Sequence, residues 1–201
     1  MTSRIILGMT GVAGSGKDTA AAGLVADHGF VRLAIGDELK QALCLVDPPV
    51  PFREPDGSIS YIMLAELVDK AGWDQAKQHP LVRSMLQKMG SDAGWQLHGE
   101  ALWTSRLDAR IAELDPDQDV VVTDIRMPHE ARWLRGIDGS VIRVTRQAAL
   151  EGLMPEQREH ISEQGIADPD YEIANDGSVD DLHEAVLQVV MEIADHWNRS
   201  A

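Results

Sequence analysis

The sequence predicts an α/β fold: a five-stranded parallel sheet with helices packed on both faces. Three observations point there. Five short, almost continuously apolar runs recur along the 201 residues, as strands buried on both faces require. Helical patterns lie between and after them, the alternation that builds a parallel sheet. A glycine-rich stretch follows the first run and leads straight into a helix, which puts a ligand-binding turn at the edge of that sheet.

In chain order, strands are expected at Ile5–Met9, Phe30–Ala34, Val120–Thr123, Val141–Val144 and Tyr171–Ala174. Ala20–Ala26 reads as the helix after the first strand and Asp37–Leu45 as the helix after the second. Ser178 opens a long final helix, where Val179, Leu182, Val186, Val189, Ile193 and Trp197 form one apolar stripe. The interval Gly36–Asp119 is far longer than one crossover helix needs and reads as a helical insertion over about 38–118. It begins with a proline-rich loop, Asp47–Ser60. Helices follow, one with Val82, Met85, Leu86 and Met89 at helical spacing and one near Leu102–Leu114. A second, polar interval reads as a lid over about 146–168. The chain, 1–201, is expected to be one domain carrying these two insertions.

The net charge of −15 argues against nucleic-acid binding, which needs a basic surface to displace counterions. It is compatible with a phosphate-rich small ligand, because a few arginines can focus positive potential in one cleft. The longest apolar runs fall far short of the roughly 20 residues of a membrane span. Met1–Arg4 runs straight into the first strand with no room for a secretory signal. The single cysteine, Cys44, excludes an internal disulfide. A cytoplasmic protein is expected.

The glycine-rich stretch is Gly11-Val12-Ala13-Gly14-Ser15-Gly16-Lys17-Asp18-Thr19. Its glycines let backbone N–H groups turn inward around phosphate oxygens, the helix N-terminus adds partial positive charge, and Lys17 reaches the β and γ phosphates. The position after the lysine usually holds a hydroxyl for Mg²⁺. Here it is Asp18, which could approach the metal directly or through water or act on the acceptor instead, with the hydroxyl displaced to Thr19.

Further along, Asp37 stands at a strand–helix junction, where an aspartate serves as a helix N-cap as readily as a site residue. Arg83 and Gln87 are four apart on one helix flank, an arrangement that suits a phosphate and a base, or simply a solvated face. Asp124 and Arg126 follow the third apolar run. Two apart, they point the same way if the chain stays extended.

In this order the motifs resemble the nucleoside monophosphate kinase group of P-loop kinases, and most of all the bacteriophage deoxynucleoside monophosphate kinases. The stretches that carry the resemblance are Gly14–Thr19, Gly36-Asp37-Glu38-Leu39-Lys40, Arg83–Gly90, Asp124–Glu130, His160-Ile161-Ser162-Glu163 and Asn175-Asp176-Gly177. The resemblance implies a P-loop kinase fold with a helical acceptor-binding insertion and a lid. It implies transfer of the γ-phosphoryl of ATP to a (deoxy)nucleoside monophosphate, with Mg²⁺ as cofactor. ATP would be held by Gly11, Ala13, Gly14, Ser15, Gly16, Lys17, Asp18 and Thr19, with Asn175 and Gly177 near the adenine. The acceptor would meet Asp37, Lys40, Arg83, Gln87 and Arg126; apart from the resemblance, Trp103 could stack on a nucleobase, although a tryptophan in a helical region is more often core. Lys17, Arg126, Arg146 and Arg158 would carry the charge stabilisation of catalysis, and Asp18 and Asp124 would serve the metal. Arg143, inside a strand, reads as structural, and Glu130 as helix-side support. Two other readings stay open: a kinase of another small phosphorylated acceptor (dephospho-coenzyme A or phosphomevalonate type), and a nucleotide-binding module that transfers nothing. The oligomeric state, a homodimer included, is open as well.

Overall fold

The computed structural model describes residues 4–151, 166 and 168–200. In chain order the elements are β1 (Ile6–Thr10), α1 (Lys17–His28), β2 (Val31–Leu33), α2 (Ile35–Val46), β3 (Pro49–Arg53), β4 (Ile59–Met63), α3 (Leu64–Ala76) and α4 (Pro80–Gln87). A π-helical turn, Lys88–Ala93, follows. Then come α5 (Gly94–His98), α6 (Leu102–Ala112), β5 (Val120–Val122), α7 (Pro128–Gly136), β6 (Ser140–Thr145), α8 (Gln147–Glu151), β7 (Tyr171–Ala174) and α9 (Val179–Ser200). No helix among the described residues is long and apolar enough to cross a membrane.

The chain divides into two compact units, residues 1–35 with 107–201, and residues 36–106. The first unit holds the expected parallel sheet, in the order β2-β5-β1-β6-β7. Its register sets Ile6 beside Val120, Leu7 beside Ser140 and Ile142 beside Tyr171. All five strands lie where the apolar runs predict them. β1 shows why both faces are covered. Leu7 and Met9 join Ala20, Ala21 and Leu24 of α1 and Leu182, Val186, Val189 and Ile193 of α9 in one buried cluster. Gly8 faces the other way, where a Cβ would stand 2.4 Å from Leu134 of α7. Only a residue without a side chain lets α7 approach that closely.

The second unit has its own core of Leu43, Val50, Leu64 and Val82, with Met85, Leu86 and Met89 packed on it. The proline-rich stretch is an antiparallel ribbon rather than a loop, with Pro51 opposite Tyr61 and Pro49 opposite Met63. Glu54 N donates to Ser58 O, so the hydrogen-bonded pairs fall on residues 54, 52 and 50. The prolines take the alternate positions, where no ladder N–H is required. Val50 is wholly buried, so the ribbon has one face on the core. His79 ties it to α4: Nε2 donates to Pro51 O at 2.8 Å, while Nδ1 accepts from Leu81 N at the helix start.

The second unit also ends earlier than the expected 118. Beyond Arg106 the chain is held within the first unit. Arg4 Nη1 donates to Ile111 O at 2.9 Å, Trp133 Nε1 to Asp108 at 2.8 Å, and Ile5 N to Asp119 at 2.7 Å.

Candidate functional site

In the first unit the chain between β1 and α1 turns on three glycines with positive φ, Gly11 (143°), Gly14 (79°) and Gly16 (103°). Lys17 begins α1 and is buried, and its ammonium donates to Val12 O at 3.0 Å. Ser15 is wholly buried, and its hydroxyl, like that of Thr10, has no protein hydrogen-bond partner. Asp18 and Thr19 are exposed in the first turn of α1, as is Ala13 in the loop.

A cavity of about 260 Å³ opens beside this loop. It is lined by Gly14, Gly16, Lys17, Asp18, Thr19, Arg146, Asn175 and Gly177, with Val179 and Leu182 of α9 supplying an apolar wall. Residues from three distant stretches thus meet at one place. Val179 and Leu182 belong to the apolar stripe of the last helix, and the stripe alone gave no sign that its first turn borders a cavity. The signal available was their position directly after the Asn175-Asp176-Gly177 turn.

Asn175 is anchored by two hydrogen bonds. Its side-chain Nδ2 donates to Ser15 O at 2.8 Å, and its backbone N donates to Thr145 O at 2.7 Å. Ser178 and Asp181 cap α9 reciprocally, since Ser178 N and Oγ donate to Asp181 Oδ2 and Asp181 N donates to Ser178 Oγ. These bonds hold the Asp181 carboxyl below its usual range.

At the end of β5 the expected geometry changes. Thr123 N still reaches Leu33 O on the β2 side, but Ile125 N reaches Met9 O on the β1 side. The strand alternation therefore stops after Thr123, and it no longer places Asp124 and Arg126 on a common face. Asp124 Oδ1 accepts from Ile35 N at 2.8 Å, at the start of α2. Arg126 is exposed, and its backbone is held from below. Glu130 Oε2 accepts from Arg126 N at 2.7 Å and from Met127 N at 2.9 Å. Glu130 is buried, and burial pushes its carboxyl up to about 7; the two backbone donors oppose that, and the charge of Asp124 adds to it. Arg143 is paired with Glu172 on the neighbouring strand at 2.7 Å. Arg158, His160, Ser162 and Glu163 lie outside the described residues, as does most of the expected lid.

In the second unit, Asp37 lies inside the first turn of α2, which begins at Ile35, so it is not the N-cap. Its carboxylate pairs with Lys40 at 2.6 Å, and buried Glu38 pairs with Arg106 at 3.3 Å. Arg83 and Gln87 are both exposed on α4, while Val82 is wholly buried. Trp103 keeps its indole Nε1 buried without a partner, and a Cβ on Gly94 would lie 3.0 Å from it.

No cluster of three or more His, Cys, Asp or Glu side chains that could hold a metal is present among the described residues. Asp18 and Asp124 are single carboxylates, the ligand type that Mg²⁺ takes one or two at a time with substrate phosphates and water completing its shell; Asp18 is exposed and Asp124 accepts from Ile35 N.

The family model for deoxynucleotide monophosphate kinase matches residues 52–186. The deoxynucleoside-5′-monophosphate kinase of Escherichia phage T5 is 34% identical over 90 residues, 42% of this chain and 34% of the phage protein. The chain thus matches about a third of that relative's length. A protein of Acanthamoeba polyphaga mimivirus that bears a deoxynucleotide monophosphate kinase designation is 24% identical over 198 residues, 92% of this chain and 96% of its own. Among solved structures, a Thermus thermophilus protein superposes with a TM-score of 0.53 at 21% identity, covering 94% of this chain and 98% of that one. A gluconokinase from Sinorhizobium meliloti superposes at 0.52 and 16% identity, covering 100% and 98%. These two likenesses concern the fold.

Proposed function

The chain belongs to the deoxynucleotide monophosphate kinase family, and on that premise we propose that it transfers the γ-phosphoryl of ATP to a deoxynucleoside monophosphate, yielding the diphosphate and ADP. The observation that carries this reading is the cavity beside the glycine loop, where Lys17, Asp18, Thr19, Arg146, Asn175 and Gly177 converge.

The triphosphate lies along Gly11–Thr19, with loop N–H groups and Lys17 on its oxygens, and Val179 and Leu182 offer the base an apolar surface. An oxygen of the acceptor's phosphate attacks the γ-phosphorus. A new P–O bond forms there as the bond to the β-phosphate oxygen breaks, and ADP leaves. A phosphate monoester is largely ionised at neutral pH, so no strong general base is needed. Positioning and positive charge supply most of the catalysis. Lys17, Arg126, Arg146 and Arg158 are the proposed cations. Mg²⁺, with Asp18 and Asp124 as its protein carboxylates, neutralises charge on the phosphates when bound. The acceptor roles of Asp37, Lys40, Arg83, Gln87 and Arg126 are proposed from the family resemblance, and that of Trp103 from the capacity of an indole to stack on a base.

ADP release measured across all common ribo- and deoxyribonucleoside monophosphates, with dephospho-coenzyme A and phosphomevalonate alongside, tests the reading. Turnover with deoxynucleoside monophosphates such as dTMP and dGMP is expected. Turnover with a non-nucleotide acceptor alone would refute the substrate class.

A further inference from the structure

The turn between β7 and α9 carries two side chains that reach in different directions. Asn175 Nδ2 donates to the carbonyl of Ser15 at 2.8 Å, across 160 residues of sequence. Asp176 Oδ1 accepts from the backbone N–H of Gln147 at 3.0 Å, the residue after Arg146. The same turn is joined to β6 by the bond from Asn175 N to Thr145 O. One short turn is therefore tied to the glycine loop and to the segment that bears Arg146.

The Ser15 contact has a directional consequence. A loop that holds an anion must present N–H groups inward and turn its carbonyls away. In a trans peptide the C=O of one residue and the N–H of the next point in opposite directions. A donor that fixes the Ser15 carbonyl therefore fixes the Gly16 N–H facing the other way. The amide also packs directly on Gly16, where an added Cβ would stand 2.2 Å from Asn175 Nδ2. Gly16 has φ 103°, so the amide and the left-handed glycine form one fitted unit.

We propose that Asn175 is a positioning residue of the phosphate loop, acting on bound triphosphate through the Ser15–Gly16 peptide rather than by recognising the adenine base. The proposal rests on the reading of the loop as the ATP site.

Inorganic tripolyphosphate, which has no base, separates the two roles. Its affinity and that of ATP are measured by calorimetry, with Mg²⁺, on the wild-type chain, on Asn175→Ala and on Asn175→Leu, which keeps bulk but has no donor. Thermal melts of each protein accompany the titrations. Both ligands should weaken by the same factor, about 10-fold for the loss of one well-placed hydrogen bond. Loss of ATP affinity with tripolyphosphate spared would overturn the proposal in favour of base recognition. Unchanged affinity for both ligands in folded variants would overturn it too, even with a lowered melting temperature, since the contact would then serve stability alone. If the variants do not fold, NMR of the wild-type Asn175 side-chain amide decides. The amide should respond alike to ATP and to tripolyphosphate, and a response to ATP alone contradicts the proposal. Failure of the wild-type protein to bind either ligand would sink the ATP-site reading itself, a result distinct from any difference between variants.

Discussion

The carboxylate of Glu130 accepts hydrogen bonds from the backbone N–H groups of Arg126 and Met127, at 2.7 and 2.9 Å, from a buried position beneath the loop that follows β5. Burial holds its carboxyl at about 7, above the 4.5 usual for glutamate. Below the ordinary carboxylate range, folded and unfolded chains are both protonated there and no cost arises. Between about 4.5 and 7 the unfolded chain ionises while the folded one keeps its proton. Stability therefore falls as pH rises through that window and levels off above it. The full effect is of order 3 kcal/mol, at about 1.4 kcal/mol per pKa unit. Glu130→Gln should remove this slope, so urea midpoints at pH 5 and pH 8 should show the variant gaining on wild type at the higher pH. Parallel pH profiles for the two proteins would refute the assignment.

Arg146 lines the cavity beside Lys17. As the proposed cation for the transferring phosphoryl, it should affect turnover more than ATP binding. Arg146→Ala should lower kcat by about 100-fold, the scale of one preorganised donor, and Arg146→Lys should recover part of it. An unchanged kcat in both variants removes Arg146 from catalysis.

Arg83 and Gln87 share the exposed flank of α4, whose opposite side carries buried Val82. If Arg83 grips the acceptor's monophosphate, Arg83→Ala should raise the acceptor Kd by about 10- to 150-fold, the equivalent of 1.5–3 kcal/mol. ATP affinity measured without acceptor should hold. The reverse pattern would assign this helix to the other substrate, and no change would return Arg83 to a solvated face.

Leu64 is wholly buried where the proline ribbon meets α3. Leu64→Ala should destabilise the protein by about 2–5 kcal/mol, the usual cost of such a cavity. Denaturant unfolding measures it, and a loss under 1 kcal/mol would mean that the ribbon contributes little to its unit.

The sheet is legible in the sequence because strands buried on both faces must be nearly all apolar, as Val120–Val122 are. The glycine loop is legible because few other uses put three positive-φ glycines and a lysine between a strand and a helix. The ribbon is not, because Pro49 and Pro51 signal a loop unless the pairing is known to leave them at the positions that need no donor. Asp37 has the sequence of a helix cap, yet the carboxylate at Ile35 N comes from Asp124, 89 residues away. Asn175 likewise fits a simple turn, and only the fold brings its amide to Ser15. What the sequence hides in each case is a partner distant along the chain.

In the proposed reaction the γ-phosphoryl leaves ATP for a nucleotide phosphate. Incubation of the chain with γ-³²P-labelled ATP, Mg²⁺ and dTMP or dGMP, followed by separation of the products, tests it directly. Label is expected in the corresponding deoxynucleoside diphosphate, formed one for one with ADP and reduced to trace level by Lys17→Ala. Label found only in inorganic phosphate, whatever deoxynucleotide is added, would contradict it.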